Sequence, residues 1–463
     1  MSTIEEIIKE QYTSYTYPRH NPDIDKNKKQ NFAYNDTSLN QINYYIYGGK
    51  KKSFDNFSIL FAGCGMGSEI IDMALKLEKY KNIKLLGIDL STTQLKMCKK
   101  RLEIHTVDDM VELKEMSLLD LKPEIHGTFD MIISSGVLHH LEDPQKGLDT
   151  LSSVLKEDGF MSLMVYGKYG RIAVYQMQEL LKRANIGIDN WPDKIQNFKN
   201  IYKQLPDNNL FTYYDENMIV QDHNNGDEGI VDLLLHNQDR SFSIPELYEW
   251  VNNSNLQIIE HSIDNRYKYK YNIHNLKYPE KIEEKYAINE LFFGDIIKQA
   301  FYTSKIKVPP PSCDDLNCIP IWNHIHKDQI QDIIENLPYN KENYKNNHYN
   351  ITNHKVFKKN KIPKKKFPKK YYINPFINQL YLTTKFNLEI NIEDLNDNGI
   401  QLDPNDIWKC IELILQNIDN KKSIGEILSI LDKSKNIQQK QLLIIFKTLY
   451  KSFLLYDFLL LTY

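Results

Sequence analysis

Ten residues, LFAGCGMGSE at 60–69, limit the fold of this chain more than any others. They join a hydrophobic run, SILFA, to a helical run, EIIDMALKLEKY, through a turn with Gly63, Gly65 and Gly67 at alternate positions. Glycine is used where the backbone needs positive φ or where something must touch it. A buried strand, a turn almost without side chains and a helix make a nucleotide-type site in an open α/β sheet.

The next hundred residues repeat the rhythm. IKLLGIDL reads as a strand, and STTQLKMCKKRLEI as a helix opened by Ser91 and Gln94 at capping-box spacing. VELKEM, FDMIISSG and GFMSLMVYG are three more strands, the last two separated by a helix starting at Asp143-Pro144. Alternating strands and helices predict an open, mostly parallel sheet with helices on both faces. After Gly167 the rhythm breaks: residues 171–184 read as a helix, and the polar stretch 185–242 has weak periodicity. SIPELYEWVNNSNL is again helical, with Ser243 and Glu246 at capping-box spacing, and LQIIEHSID is a strand. Residues 281–297 read as a helix and KQAFYTSK as a last strand.

The PPP at 309–311 punctuates the chain, 312–350 is ambiguous, and 355–370 carries nine lysines. Three helices are expected at 404–418, 424–433 and 437–452, the middle one opened by Ser423 and Glu426. The expected division is therefore an N-terminal segment 1–57 and an α/β domain 58–306 with an insertion at about 171–242. A linker region 307–371 and a small helical domain 372–463 follow. A length of 463 residues fits two or three domains.

Lys+Arg 58 against Asp+Glu 61 gives no global signal for polyanion binding, so nucleic acid is not the expected partner. Five unevenly spaced cysteines are no disulfide framework. MSTIEEIIKEQ is too polar and acidic for a signal peptide, and no apolar run approaches the roughly 20 residues of a span. A cytoplasmic protein is expected.

Two ligands compete for the glycine turn. A dinucleotide fold wants G-x-G-x-x-G with a helix N-terminus facing a pyrophosphate. Here the pattern is G-x-G-x-G followed by Ser68 and Glu69, and an acidic first turn repels a pyrophosphate but suits a cationic or zwitterionic ligand. Asp89, ending the second strand, is placed to accept from both hydroxyls of a ribose, which either ligand carries. Asp120 in MSLLDL offers an acceptor for an adenine amino group. Cys64 reads as a small buried apolar group.

LFAGCGMGSE, GIDLS, FDMIISSGVLHHLEDP and LKEDGFMSLMVYG resemble, in order and spacing, the successive motifs of class I S-adenosylmethionine-dependent methyltransferases. The resemblance covers roughly residues 58–305. It implies a Rossmann-like sheet of seven strands whose last strand, KQAFYTSK here, runs antiparallel. It also implies S-adenosylmethionine as cofactor, held by Gly63, Gly65, Gly67, Glu69, Asp89, Leu90, Ser117, Leu118, Asp120 and Ser135.

Methyl transfer is a displacement at a sulfonium carbon, so the protein must align the acceptor, exclude water and sometimes remove a proton. The family's nitrogen methylators of DNA bases and glutamine carry an Asn-Pro-Pro-Tyr type sequence after strand four. This chain has SSGVLHHLEDP there, with His139 and His140 as candidate bases or as packing residues. YGKYGR offers Tyr166, Tyr169 and Arg171, and HNQDRSFSIPEL offers His236, Asp239 and Arg240, with the insertion between them as a lid. Either arginine suits a carboxylate or phosphate on the acceptor. Tyr12, Tyr15 and Tyr17 are placed to close the cofactor site, as N-terminal aromatic segments do in the family.

The expected activity is methyl transfer to an oxygen or nitrogen of an unidentified small-molecule or protein acceptor. The alternatives are a methyltransferase-like scaffold without turnover and a nucleic-acid methyltransferase using the lysine run. Cys313 and Cys318, with His324 and His326 nearby, match no known zinc knuckle, and no metal is expected. The C-terminal helices loosely resemble a winged-helix-like module, suited to a protein partner or to self-association.

Overall fold

Ser58–Ala62 (β1) is buried at every position, as a central strand of a parallel sheet must be. In this computed structural model the described residues are 4–17, 25, 37–323, 330–331, 404–435, 437–454 and 459–463. They fall into two units, Met1–Pro309 and Pro310–Tyr463.

In the first unit Ile4–Ser14 (α1) and Leu39–Tyr45 (α2) precede β1. Then come Ser68–Leu77 (α3), Lys84–Asp89 (β2), Thr92–His105 (α4), Val111–Glu115 (β3), Pro123–His126 (α5), Phe129–Ser135 (β4), Pro144–Ser153 (α6) and Leu155–Gly167 (β5). The Asp143 side chain accepts from Lys146 N–H at 3.1 Å, so the expected cap of α6 is present. Ser91 caps α4 in the same way, accepting from Gln94 N–H at 3.3 Å.

The insertion folds as four helices: Ile172–Ala184 (α7), Trp191–Tyr202 (α8), Leu210–Glu216 (α9) and Gly226–Leu234 (α10). They share a core that includes Val174, Leu181, Phe198, Phe211 and Val231. The weak periodicity of 185–242 thus hides three short helices. Each buries only a few side chains, so no apolar stripe builds up; Asn190 and Asn209 start two of them as caps.

Ser241–Phe242 (β6), Ile244–Asn253 (α11), Gln257–His261 (β7), Ile263–Lys270 (α12), Ile282–Phe293 (α13) and Lys298–Ser304 (β8) complete the unit. The sheet order is β3-β2-β1-β4-β5-β8-β7, with β8 antiparallel to both β5 and β7. These are the seven strands expected, last strand reversed. The two-residue β6 is an eighth, pairing Tyr166 with Ser241 and Gly167 with Phe242. It delivers the loop before it to the carboxyl end of β5.

The second unit contains the helices Pro404–Asn417, Ile424–Lys435 and Gln439–Leu454. Ser423 and Glu426 cap the middle helix reciprocally, at 2.7 and 3.3 Å. Leu459–Thr462 forms a strand that pairs antiparallel with Ile319–Trp322. Residues 310–323 therefore belong to this unit, not to a linker, because they supply the partner strand and accept from Ile424 and Gly425 N–H groups. The lysine run 355–370, His324, His326 and the start of the expected helical domain lie outside the described residues.

A chain ending at Pro309 should bind S-adenosylhomocysteine within about twofold of the full chain, measured by calorimetry. A chain ending at residue 371 keeps Ile319–Trp322 without its partner strand and should self-associate on size-exclusion chromatography. Loss of binding in a folded 1–309 fragment contradicts the division.

Candidate active site

The glycine turn hangs from β2. The N–H groups of Gly63 and Cys64 both donate to Ile88 C=O at 2.9 Å. Gly63 and Gly67 have φ of 76° and 78°, and neighbours press on both. A Cβ at Gly63 would lie 2.4 Å from Val137 Cγ2, and one at Gly67 2.3 Å from Cys98 Sγ. At Gly65 the nearest atom to such a Cβ is the end of the Gln94 side chain. Gln94, buried at the start of α4, thus lies over the turn.

Asp89 holds this arrangement. One carboxylate oxygen accepts from Gly65 N–H at 2.8 Å, the other from Ser91 N–H at 2.9 Å. Burial raises its pKa from the ordinary value, and these backbone donors counter part of the rise. Glu69, in the first turn of α3, accepts from Ser135 Oγ at 2.8 Å, and burial pushes its carboxyl up to about 7. Its surface is only part-covered, so the solvent-exposed fraction moderates that shift.

Ser117 Oγ accepts from Leu119 N–H at 3.1 Å, Leu118 is buried in the sheet core, and Asp120 is exposed. Met116 N–H donates to Asp89 C=O, which places this loop beside β2; Leu90 is half-buried next to Asp89. The cofactor residues expected from sequence therefore gather along the carboxyl ends of β1, β2, β3 and β4.

Sequence reasoning missed the support beneath them. Arg101 is almost fully buried, donates from Nε to Asp25 at 2.6 Å and from Nη1 to Met66 C=O at 2.7 Å. In "KKRLEI" it looks like one more exposed cation, and only the burial of α4 at this position distinguishes it.

A second cluster sits at the ends of β4 and β5. His139 and His140 occupy a one-turn helix after β4, and both are buried. The His139 ring packs 3.9 Å from Tyr166 and 4.1 Å from His140; His140 stacks on His236 at 3.9 Å. The Arg171 guanidinium lies 3.5 Å from the centre of the Tyr166 ring and 3.6 Å from Asp239. Tyr12 of α1 donates to Asp232 at 3.0 Å, and Tyr17 donates to Asp222. Tyr15 packs on Trp191 at 5.8 Å.

The hydrogen-bond partners fix two tautomers. His140 Nδ1 lies 2.8 Å from Gln238 C=O, which only accepts, so the proton is on Nδ1. His236 Nδ1 accepts from Gln238 N–H at 3.1 Å, so its proton is on Nε2, facing Tyr12 at 3.4 Å. Burial holds His139, His140 and His236 below the usual histidine range, helped by neighbouring cations, so all three are neutral near pH 7. Burial and the nearby Asp222 raise the Asp232 carboxyl to about 7.

The structure thus joins Tyr166, Arg171, His139, His140, His236 and Asp239, brings Tyr12 to the same cluster, and adds Asp232. Tyr169 takes no part in these contacts. Arg240 is exposed with its guanidinium over Phe242 at 5.0 Å, and only its N–H reaches the cluster, donating to His139 C=O at 3.1 Å.

A family model described as a methyltransferase domain matches residues 60–161, the span from β1 to β5. Over that span the chain is similar to the class I S-adenosylmethionine-dependent methyltransferases. An uncharacterized protein of Synechococcus is 31% identical over 228 residues, covering 49% of this chain and 53% of its own. The tRNA 5-carboxymethoxyuridine methyltransferase of Escherichia coli is 30% identical over 112 residues, 24% of this chain and 41% of its own. The chain thus spans about half the length of these curated relatives. PKMT2 from Rickettsia typhi, solved in complex with AdoHcy, shares the fold at a TM-score of 0.56 and 16% identity, over 90% of this chain and 74% of that one.

Two substitutions test the cofactor side. Asp89→Ala removes the carboxylate that accepts from the Gly65 and Ser91 N–H groups, and should lower S-adenosylhomocysteine affinity on the order of 10- to 1000-fold by calorimetry. Glu69 has a raised carboxyl, so the stability it contributes is complete below about 4.5 and is lost as pH rises through about 7. The Glu69→Gln chain should therefore gain Tm over the parent as pH rises across that window. A constant Tm difference contradicts the burial of this carboxyl.

Proposed function

We propose that the chain transfers a methyl group from S-adenosylmethionine to an oxygen or nitrogen of an acceptor held in the cluster around Tyr166. The acceptor is a small molecule or a protein side chain. The observation that supports this best is one of position. The strand ends that carry Gly63, Asp89 and Ser135 continue along the same sheet edge to the buried rings and carboxylates at the ends of β4 and β5. Catalysis by alignment needs cofactor and acceptor sites adjoining in this way.

The residues present fit the cofactor. A turn that Cβ atoms would fill, a carboxylate at the end of β2 and a second, part-buried carboxylate at Glu69 suit a ligand with a ribose and a cationic end. Gly63, Gly65 and Gly67 would admit it against the backbone, and Asp89 would accept from its ribose hydroxyls. Glu69 would pair with its ammonium group, Asp120 would accept from its adenine amino group, and Leu90, Ser117, Leu118 and Ser135 would line it. When bound, S-adenosylmethionine supplies a methyl group on a sulfonium, already activated for attack.

On the acceptor side, α1 and the insertion helices exclude water. Arg171, with Nε and Nη2 free of hydrogen bonds, is suited to an anionic part of the acceptor. His139 and His140 are neutral and able to accept a proton, but their depressed pKa values make them weak bases. Asp232, at about 7, is the better matched one.

The test uses purified full-length protein, methyl-labelled S-adenosylmethionine and cell extract separated into protein, nucleic-acid and small-molecule fractions. Label is expected in the protein or small-molecule fraction, dependent on Asp89. Label confined to nucleic acid, or S-adenosylhomocysteine binding with no labelled product in any fraction, overturns the reading. With a labelled acceptor in hand, Asp232→Asn should lower turnover by about 10²–10⁴-fold while His139→Ala costs less. The reverse order returns the proton to the histidine.

A further inference from the structure

The turn after β4 and the loop before β6 are clipped together by two bonds. Arg240 N–H donates to His139 C=O at 3.1 Å, and His140 Nδ1–H donates to Gln238 C=O at 2.8 Å. The clip sets His139, His140 and Asp239 side by side, with one donor atom from each inside 4.8 Å of the others. We propose that these three side chains bind a divalent first-row transition metal, with zinc as the reference ion.

Several observations converge on this site. His139 is fully buried and neither of its ring nitrogens has a hydrogen-bond partner, an arrangement that costs free energy unless something else is bound there. The Gln238 carbonyl fixes the proton of His140 on Nδ1 and turns the lone pair of Nε2 to the outside of that bond. Metal-binding imidazoles are held in this way, one nitrogen on a carbonyl and the other on the ion. Asp239 is held loosely, by Gln178 at 3.1 Å and Tyr175 at 3.4 Å, so its carboxylate keeps lone pairs for an ion.

Two imidazoles and a carboxylate select zinc, cobalt, nickel or ferrous iron over magnesium and calcium, which take oxygen ligands. Tetrahedral zinc places its ligands roughly 3.4 Å apart, so side-chain shifts of about an ångström complete the site.

The charge nearby decides how tight the site is. Arg171 stands 3.6 Å from Asp239, and with Lys298 it adds positive potential at His139. Asp222, Asp232 and Asp239 face the same cluster with neutral imidazoles, so the carboxylates outnumber these cations. The ion is therefore accommodated, but less tightly than in a structural site of four thiolates. Three protein ligands leave a coordination position for a water or an acceptor oxygen, as catalytic zinc does. That role rests on the proposed methyl transfer; the binding itself does not.

Full-length protein is stripped with a chelator and titrated with zinc by calorimetry and with cobalt by visible absorption. One ion per chain is expected, with a cobalt spectrum free of thiolate charge-transfer bands. His140→Ala and Asp239→Asn should each weaken zinc by at least about tenfold. S-adenosylhomocysteine affinity is measured in parallel and should stay near that of the parent, which separates loss of metal from loss of fold and from failure of the cofactor reading. No saturable binding in the parent overturns the proposal. So does a thiolate band, which assigns the ion to Cys313 and Cys318, and so does zinc affinity unchanged in both folded variants. If His140→Ala does not fold, the parent's cobalt spectrum and the Asp239→Asn titration still decide.

Discussion

The carboxylate of Asp89 is shared between two backbone N–H groups, and the site depends on that division. Its bonds to Gly65 and Ser91 fix the turn after β1 against the turn after β2. Without them the three glycines are free to move, since glycine pays the largest backbone entropy to be held. The same oxygens keep lone pairs for a ligand. One part-buried carboxylate thus shapes the turn and keeps acceptor capacity beside it, so a substitution at this position changes both together.

Electrostatics divides the sheet edge. Around the glycine turn, Glu69 and Asp89 are carboxylates with no cation in contact among the described residues, their charge opposed by burial and relieved by a serine hydroxyl and backbone N–H groups. At the ends of β4 and β5, Arg171 is met by Asp239 and by the face of Tyr166. Around it lie three imidazoles kept neutral by burial and two tyrosines whose hydroxyls bond carboxylates. Proton positions there follow from the partners: His236 donates to Tyr12, which donates to Asp232. A group entering this cluster meets a defined sequence of donors and acceptors.

Much of this was legible in the sequence. Strand–helix alternation from Ser58 to Gly167, the cap at Asp143, the reversed last strand and the placement of Asp89 all follow from local patterns, and local patterns are what sequence shows. What escaped is set by partners far along the chain. Arg101 resembles any cation of a lysine-rich helix, and only its ion pair with Asp25 makes it a buried support for Met66. Asp232 lies in a helix whose periodicity is weak; burial and Asp222 raise its carboxyl, and the hydroxyl of Tyr12, from the far N-terminal helix, opposes that rise by donating to it. The strand Leu459–Thr462 goes unannounced because its partner, Ile319–Trp322, lies far back along the chain. The histidines were found by motif, but their tautomers rest on Gln238, which no motif marks.

β5 is the longest strand and the one with most at stake during synthesis. One of its edges pairs with β4, which precedes it in the chain, Met131 opposite Phe160. Its other edge must wait for β8, whose Ser304 pairs with Phe160. Four insertion helices, β6, α11, β7, α12 and α13 lie in the interval, while a row of unpaired N–H and C=O groups beside buried residues such as Leu163 and Val165 is left for β8 to fill. Chaperone dependence during translation should therefore be concentrated in the interval between residues 167 and 298, and should end when the antiparallel strand arrives to close the sheet.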